Sequence, residues 1–221
     1  MGNRRMGAKR LNALQKRGEQ GLDLTYQAGA GIKPALVSHR VLKKGGLIET
    51  HLLIDLQGDG SDVIYAADSD RDVIGLADDN AGTNAIADAS LMTWENDIHG
   101  QFREVTMHCI EAPAGGANVV SDIGLVAAAG AAKKQADASG VADDNAKDLI
   151  NPDASWTAGD IGQRGVKRDN DPDGIQTADT NVVDGDRIYL VNGADSGGAA
   201  TNYTGGKFLI VLHGADQTWG F

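Results

Sequence analysis

Residues 98–116 read IHGQFREVTMHCIEAPAGG. Phe102, Thr106, His108 and Ile110 fall on one alternation, broken only by Glu104, and Arg103, Val105, Met107 and Cys109 on the other. His99-Gly100 precedes the run and Pro113-Ala114-Gly115-Gly116 closes it. Period-two spacing, breakers at both ends and the Val/Thr/Ile/Phe content predict one long strand, half-buried on both faces. Its place near the middle of the chain, with apolar runs on either side, predicts the central strand of a sheet. Nothing in it has the look of catalytic chemistry.

Working outward, residues 35–42 alternate weakly, Lys43-Lys44-Gly45-Gly46 make a turn, and LIETHLLIDL (47–56) returns, which predicts a β-hairpin on a Gly-Gly loop. His39 and His51 lie on its two arms; without a third ligand they read as a cross-strand surface pair and not as a metal site. Short runs at 63–66 and 73–76 flank the acidic stretch DSDRD. Residues 86–94 bring in Trp94, and 118–127 give another apolar run. RIYLVN (187–192) and KFLIVLH (207–213) are the cleanest strands and are expected beside residues 103–111. Residues 127–185 have another texture, rich in Ala, Asp, Asn and Gly, and predict a long loop-rich insertion with at most a helical turn at 131–138. Eight to ten short strands with turn signals between them predict an all-β fold, either a β-sandwich, with a jelly-roll among the fitting topologies, or a small barrel. The chain then divides into a basic arm, 1–20, and a β domain, 21–221.

Charge is unevenly distributed. Arg4, Arg5, Lys9, Arg10, Lys16 and Arg17 stand in a segment without acids, whereas the whole chain carries −11. The acidic body should repel nucleic acid, so no nucleic-acid surface is expected on it. The arm, with Leu11 and Leu14 among its cations, has the pattern of a short amphipathic helix too short to hold alone, ordering on a docked surface. The one cysteine, Cys109, cannot form an internal disulfide and reads as a buried inert thiol. No run reaches membrane-spanning length and no secretory signal pattern opens the chain, so synthesis in a reducing cytoplasm and no membrane partner are expected.

Four segments in a fixed order carry a family likeness. RRMGAKRLNALQKRG (4–18) with DLTYQAGAGI (23–32), ETHLLIDL (49–56), HGQFREVTMHCIEAPAGG (99–116) and TNYTGGKFLIVLHGA (201–215) together resemble small virion proteins of tailed marine bacteriophages, the capsid decoration (cement) proteins and related structural components. The resemblance implies a β-rich fold, a place on the outer capsid surface, and the major capsid protein and neighbouring copies of itself as partners. It brings no catalytic residues. The long acidic 127–185 stretch departs from the family pattern. On this reading the arm (Arg4, Arg5, Lys9, Arg10, Leu11, Leu14, Lys16, Arg17) and the apolar C-terminal tip (Trp219, Phe221) bind the capsid. The alternative is a head-fibre or adhesin-type module that contacts host-surface glycans through the 127–185 loops and Trp156, with Trp94 and Tyr203 as further exposed aromatics.

Enzymatic motifs are absent: no H-E-x-x-H, P-loop or G-x-S-x-G, and no G-x-G-x-x-G between a strand and a helix. Gly29-Ala30-Gly31 follows only a weak strand. Glu49, Asp55, Glu104 and Glu111 are the acids from which a glycosidase pair could be drawn, and on strand faces such acids are ordinarily solvated. No enzyme is expected and no cofactor is required. The one candidate metal site is a calcium loop: Asp169, Asp171 and Asp173 with Gly174 match D-x-D-x-D-G, and Asp179 stands one place short of the EF-hand's bidentate position. A second acidic cluster, Asp68, Asp70 and Asp72, lacks the glycine.

Overall fold

The computed structural model describes residues 32, 37–44, 46–57, 64–65, 73–76, 88–115, 122–133, 146–151, 155–165, 182–193 and 203–216. They form two antiparallel sheets packed face to face, a β-sandwich and not a closed barrel. The first sheet holds β1 (Val37–Lys44), β2 (Leu47–Asp55), β11 (Tyr203–Ala215), β6 (Gln101–Gly115) and β9 (Ile161–Gly165), in that order. The second holds β5 (Met92–Thr93), β10 (Arg187–Asn192), β7 (Ile123–Ala128) and β8 (Ala146–Ile150). A two-residue ladder joins β3 (Ile64–Tyr65) to β4 (Gly75–Leu76). The only described helix, α1 (Asn96–His99), is a single turn between β5 and β6.

The hairpin is as predicted, with β1 and β2 paired from Val37↔Ile54 to Lys44↔Leu47. The quoted central stretch is β6, a 15-residue strand, but the middle of its sheet is β11, with β6 between β11 and β9. KFLIVLH does lie beside it. RIYLVN does not, because it is β10, an inner strand of the opposite sheet. Nor is β6 half-buried on both faces: Val105, Met107 and Cys109 are buried with Phe102, while Arg103 and Ile110 are exposed. Phe102 and Val105 differ by an odd number of residues, so strict alternation cannot bury both. The pairings His213↔Glu104 and Gly214↔Phe102 leave Arg103 as an extra residue, and Lys207↔Glu111 followed by Phe208↔Cys109 does the same for Ile110. Such bulges let one strand change which alternation faces inward.

The sheets meet over a core in which Leu52, Ile54, Met107, Phe208 and Ile210 of the first face Ile123, Leu125, Ile188 and Leu190 of the second. Burying side chains of this size contributes about 1.5–3 kcal/mol each, which is what a chain with only 5% aromatic residues relies on. The second sheet is buried on both sides. IGLVAA and IYLVN lack alternation and all their residues are buried; Val126, Ala128, Tyr189 and Val191 form a further cluster with Val73 and Ala89 behind the sheet. The 127–185 stretch is not simply loop, since it supplies β8 to one sheet and β9 to the other.

Three of the aromatic residues expected at the surface, Trp94, Trp156 and Tyr203, are inside. Trp94 and Tyr203 are almost wholly buried and Trp156 is 8% exposed. The Trp156 indole donates to the Ile123 carbonyl oxygen at 2.6 Å and its ring meets Phe208 edge-on at 5.6 Å. An indole N–H that finds a backbone acceptor between two sheets can be buried at little cost. Trp156 thus ties β7 to β11 and is not a partner anchor.

Candidate interface on the open face of the five-stranded sheet

Alternation in β2 sends Ile48, Thr50, Leu52 and Ile54 inward and Glu49, His51, Leu53 and Asp55 outward. In β11 Phe208, Ile210 and Leu212 are inward, and Lys207, Leu209, Val211 and His213 outward. Cross-strand registers align the outward residues into rows. One row runs Ser38–Leu53–Leu209–His108–Ile161 across all five strands. The next runs Arg40–His51–Val211–Thr106. Leu53 is 41% and Ile161 62% exposed. A band weighted toward apolar side chains, with Leu53, Leu209, Val211 and Ile161 along it and Arg40 at its outer end on β1, therefore crosses the outward face of the sheet, although a one-side-covered antiparallel sheet ordinarily alternates apolar-in with polar-out.

Charged rows flank the band. On one side Lys207 Nζ lies 3.2 Å from Asp55 and 3.4 Å from Glu111. The Asp55 and then the Glu111 hydrogen bond hold its ammonium above the ordinary lysine range. On the other side the row is Leu42–Glu49–His213–Glu104, and His51 Nε2 sits 3.3 Å from Glu49 Oε2. The acids singled out for a glycosidase pair are thus brought into two rows. The backbones of Glu49 and Glu104 are separated by β11, two strand spacings or about 10 Å. Asp55 and Glu111 also flank β11, but both carboxylates close on Lys207 Nζ, at 3.2 and 3.4 Å, which makes them an ion-paired cluster around that ammonium. Both pairs lie on the outward sheet face, which no described element covers to exclude water from a reacting centre. Their geometry suits solvated ion pairing.

His39 and His51 do not pair. Arg40 stands opposite His51 and Leu52 opposite His39, so the two imidazoles point to opposite faces of the sheet. A register offset of one residue is enough to do this. His39 instead meets His99 from α1, ring to ring at 6.0 Å. Cys109 is buried, as expected, its thiol donating to the Glu111 carbonyl oxygen at 3.4 Å. Burial, and then the Asp160 charge, push that thiol above its ordinary range.

The other singled-out residues lie outside the described residues: the arm from Arg4 to Arg17, Trp219 and Phe221, the calcium-loop acids Asp169, Asp171, Asp173 and Asp179, the cluster Asp68–Asp72, and Gly29-Ala30-Gly31. Among the described residues no group of three or more His, Cys, Asp or Glu is placed to hold a metal, and no helix is long and apolar enough to cross a membrane.

The band itself was not singled out from sequence, although its signal was there. LIETHLLIDL carries Leu47 and Leu53 on the alternation opposite Ile48, Leu52 and Ile54, and KFLIVLH carries Leu209 and Val211 opposite Phe208, Ile210 and Leu212. Strands apolar on both alternations ask for cover on both faces, and the second sheet covers one. Comparison with known protein families, with curated proteins and with solved structures found no match.

Proposed function

We propose that this chain is a virion structural protein, a capsid decoration protein that binds the outside of an assembled phage head and stabilises it. The observation that carries the reading is the apolar-weighted band from Ser38 to Ile161, with Leu209 and Val211 at its centre, on the outward face of the five-stranded sheet. The four virion-like segments and the basic arm beside an acidic body support it. On this reading the band seats on the major capsid protein, the arm cations Arg4 to Arg17 pair with acidic capsid surface, and neighbouring copies abut across the lattice. A protein that binds the assembled shell and not its free subunits stabilises the shell by mass action, by about 2.7 kcal/mol per site when its concentration is a hundredfold above Kd. The glycan-binding alternative loses the aromatic that motivated it, since Trp156 is built into the core.

The test is cosedimentation of the purified protein with heads of its phage that lack it. The wild-type chain should bind heads to saturation and leave free capsid subunits unbound. Leu53→Glu with Ile161→Glu, both at exposed positions where substitution should leave folding largely intact, should abolish most of that binding. A wild-type chain that stays in the supernatant removes the decoration reading. A double variant that binds as well as wild type removes the band as its seat.

A further inference from the structure

At one end of the sandwich, residues 94–100 turn the chain from the second sheet into the first. Trp94 N donates to the Asp186 carbonyl oxygen at 2.7 Å, and Gly185 N to the Trp94 carbonyl oxygen at 2.8 Å. The indole N–H of Trp94 reaches back to the carbonyl oxygen of Gly100 at 3.0 Å and to Asn96 Oδ1 at 3.1 Å. A one-turn helix cannot hold itself, so α1 is shaped by this loop of contacts. Its last residue, His99, is 4% exposed. Thr50 Oγ1 is 2.8 Å from His99 Nδ1, the Trp94 ring lies over the imidazole at 5.0 Å, and the His39 ring meets it edge-on.

The surroundings of His99 are one-sided in charge. From β1 come His39 and Lys43, the two groups whose fields oppose its protonation. From β2 the inward residues are Ile48, Thr50 and Leu52, from β6 Phe102, and from β11 Leu212 and Gly214. The acids of the corner itself, Glu95 and Asp97, are exposed. Among the described residues no carboxylate faces the imidazole from these elements. The corner is also closely seated: a Cβ on Gly214 would collide with the His99 carbonyl, and one on Gly100 would lie 2.5 Å from the Ala215 oxygen. It rests directly on the β11 backbone with no layer between.

We propose that this corner is a proton-operated latch: with His99 and His39 neutral it stays seated on the first sheet, and protonation releases residues 94–100 while the two-sheet core remains assembled. Burial, followed by the His39 and Lys43 charges, holds His99 down to about 4 from an ordinary 6.5, and burial also lowers His39. The released imidazole regains its ordinary value, so between pH 6.5 and 4 each unit of acidification favours release by up to about tenfold. Above that window the latch is shut. Among the described residues the inward-facing histidines are His39 and His99, both at this end, so the drive acts here.

The experiment is an NMR titration of the full chain from about pH 7.5 to about 4.5, the range in which histidines report. It follows the three tryptophan indole N–H signals, with Trp94 assigned by its contact with the Phe102 ring, and far-UV circular dichroism alongside. The Trp94 signal should shift and broaden on acidification while the Trp156 signal and the β-sheet spectrum hold. His99→Gln should abolish the response, and His39→Gln, which removes an opposing charge while leaving His99 in place, should weaken it. Three results would each overturn the latch: a Trp94 signal unchanged throughout, a response undiminished in the variant that folds, or all indole signals and the sheet spectrum moving together at one midpoint.

Discussion

Lys147 and Asp186 form a buried ion pair that bridges β8 to the turn before β10. Lys147 Nζ lies 2.6 Å from Asp186 Oδ2, and the side chains are 13% and 1% exposed. The same oxygen accepts the Val183 amide at 2.8 Å. Replacing Lys147 with Met keeps the stem's volume and removes the charge. The carboxylate of Asp186 then stays away from water with one amide for company, and breaking a buried pair from one side costs about 3–5 kcal/mol. The low end, about 3 kcal/mol, applies because the Val183 bond survives. Asp186→Asn is milder. The amide oxygen still serves Val183, and the less buried Lys147 ammonium can swing to solvent, so the loss is about 1.5–2 kcal/mol, the low end for a hydrogen bond to a charged group. Urea unfolding at neutral pH, with slopes of about 1–3 kcal/mol per molar, converts these into a midpoint drop for Lys147→Met at least half again as large as for Asp186→Asn. A Lys147→Met midpoint within error of wild type, or the reverse order of the two variants, would refute the argument that the anion is the costlier partner to strand.

Three further expectations rest on separate features. Phe208→Ala, at the centre of β11 against Trp156, should lower stability by about 3–5 kcal/mol by leaving a cavity between the sheets, measured by the same unfolding assay. Gly100→Ala should cost at least about 1–3 kcal/mol, because φ of +74° with ψ of −174° is a glycine conformation and the added methyl meets the Ala215 oxygen; a thermal midpoint equal to wild type would contradict it. Cys109 should be inert to a thiol reagent in the folded protein at neutral pH and react fully once denatured, since burial both covers it and disfavours its thiolate; fast labelling of the native chain would show the β6 core to be open.

How far the fold could be read from the chain depended on whether local pattern or partner geometry decided each element. The β1–β2 hairpin, β10 and β11 were legible because alternation, apolar density and Gly turns are local, and the sandwich followed from their number and spacing. β8 and β9 were not. AKDLI and IGQRG carry little hydrophobic pattern, and they are strands because β7 and β6 offer edges to pair with. The bulges at Arg103 and Ile110 in β6 were equally hidden, since they arise from its register with β11, and with them went the burial of Phe102 beside Val105. The same dependence on register separated His39 from His51. Trp94, Trp156 and Tyr203 read as exposed because they stood in polar stretches, yet a large ring is buried by whatever lies opposite in space. The open band was half-legible: the double apolar alternation of β2 and β11 was in the sequence, and which alternation lacked cover was not.

The most direct test of the proposed decoration role is electron cryomicroscopy of purified phage particles, with this chain located on them by its fold. In the proposed role its density forms a regular array over the outer capsid, with the Ser38–Ile161 band of the five-stranded sheet turned toward the shell. Density confined to one vertex, or no density on any particle, would contradict it.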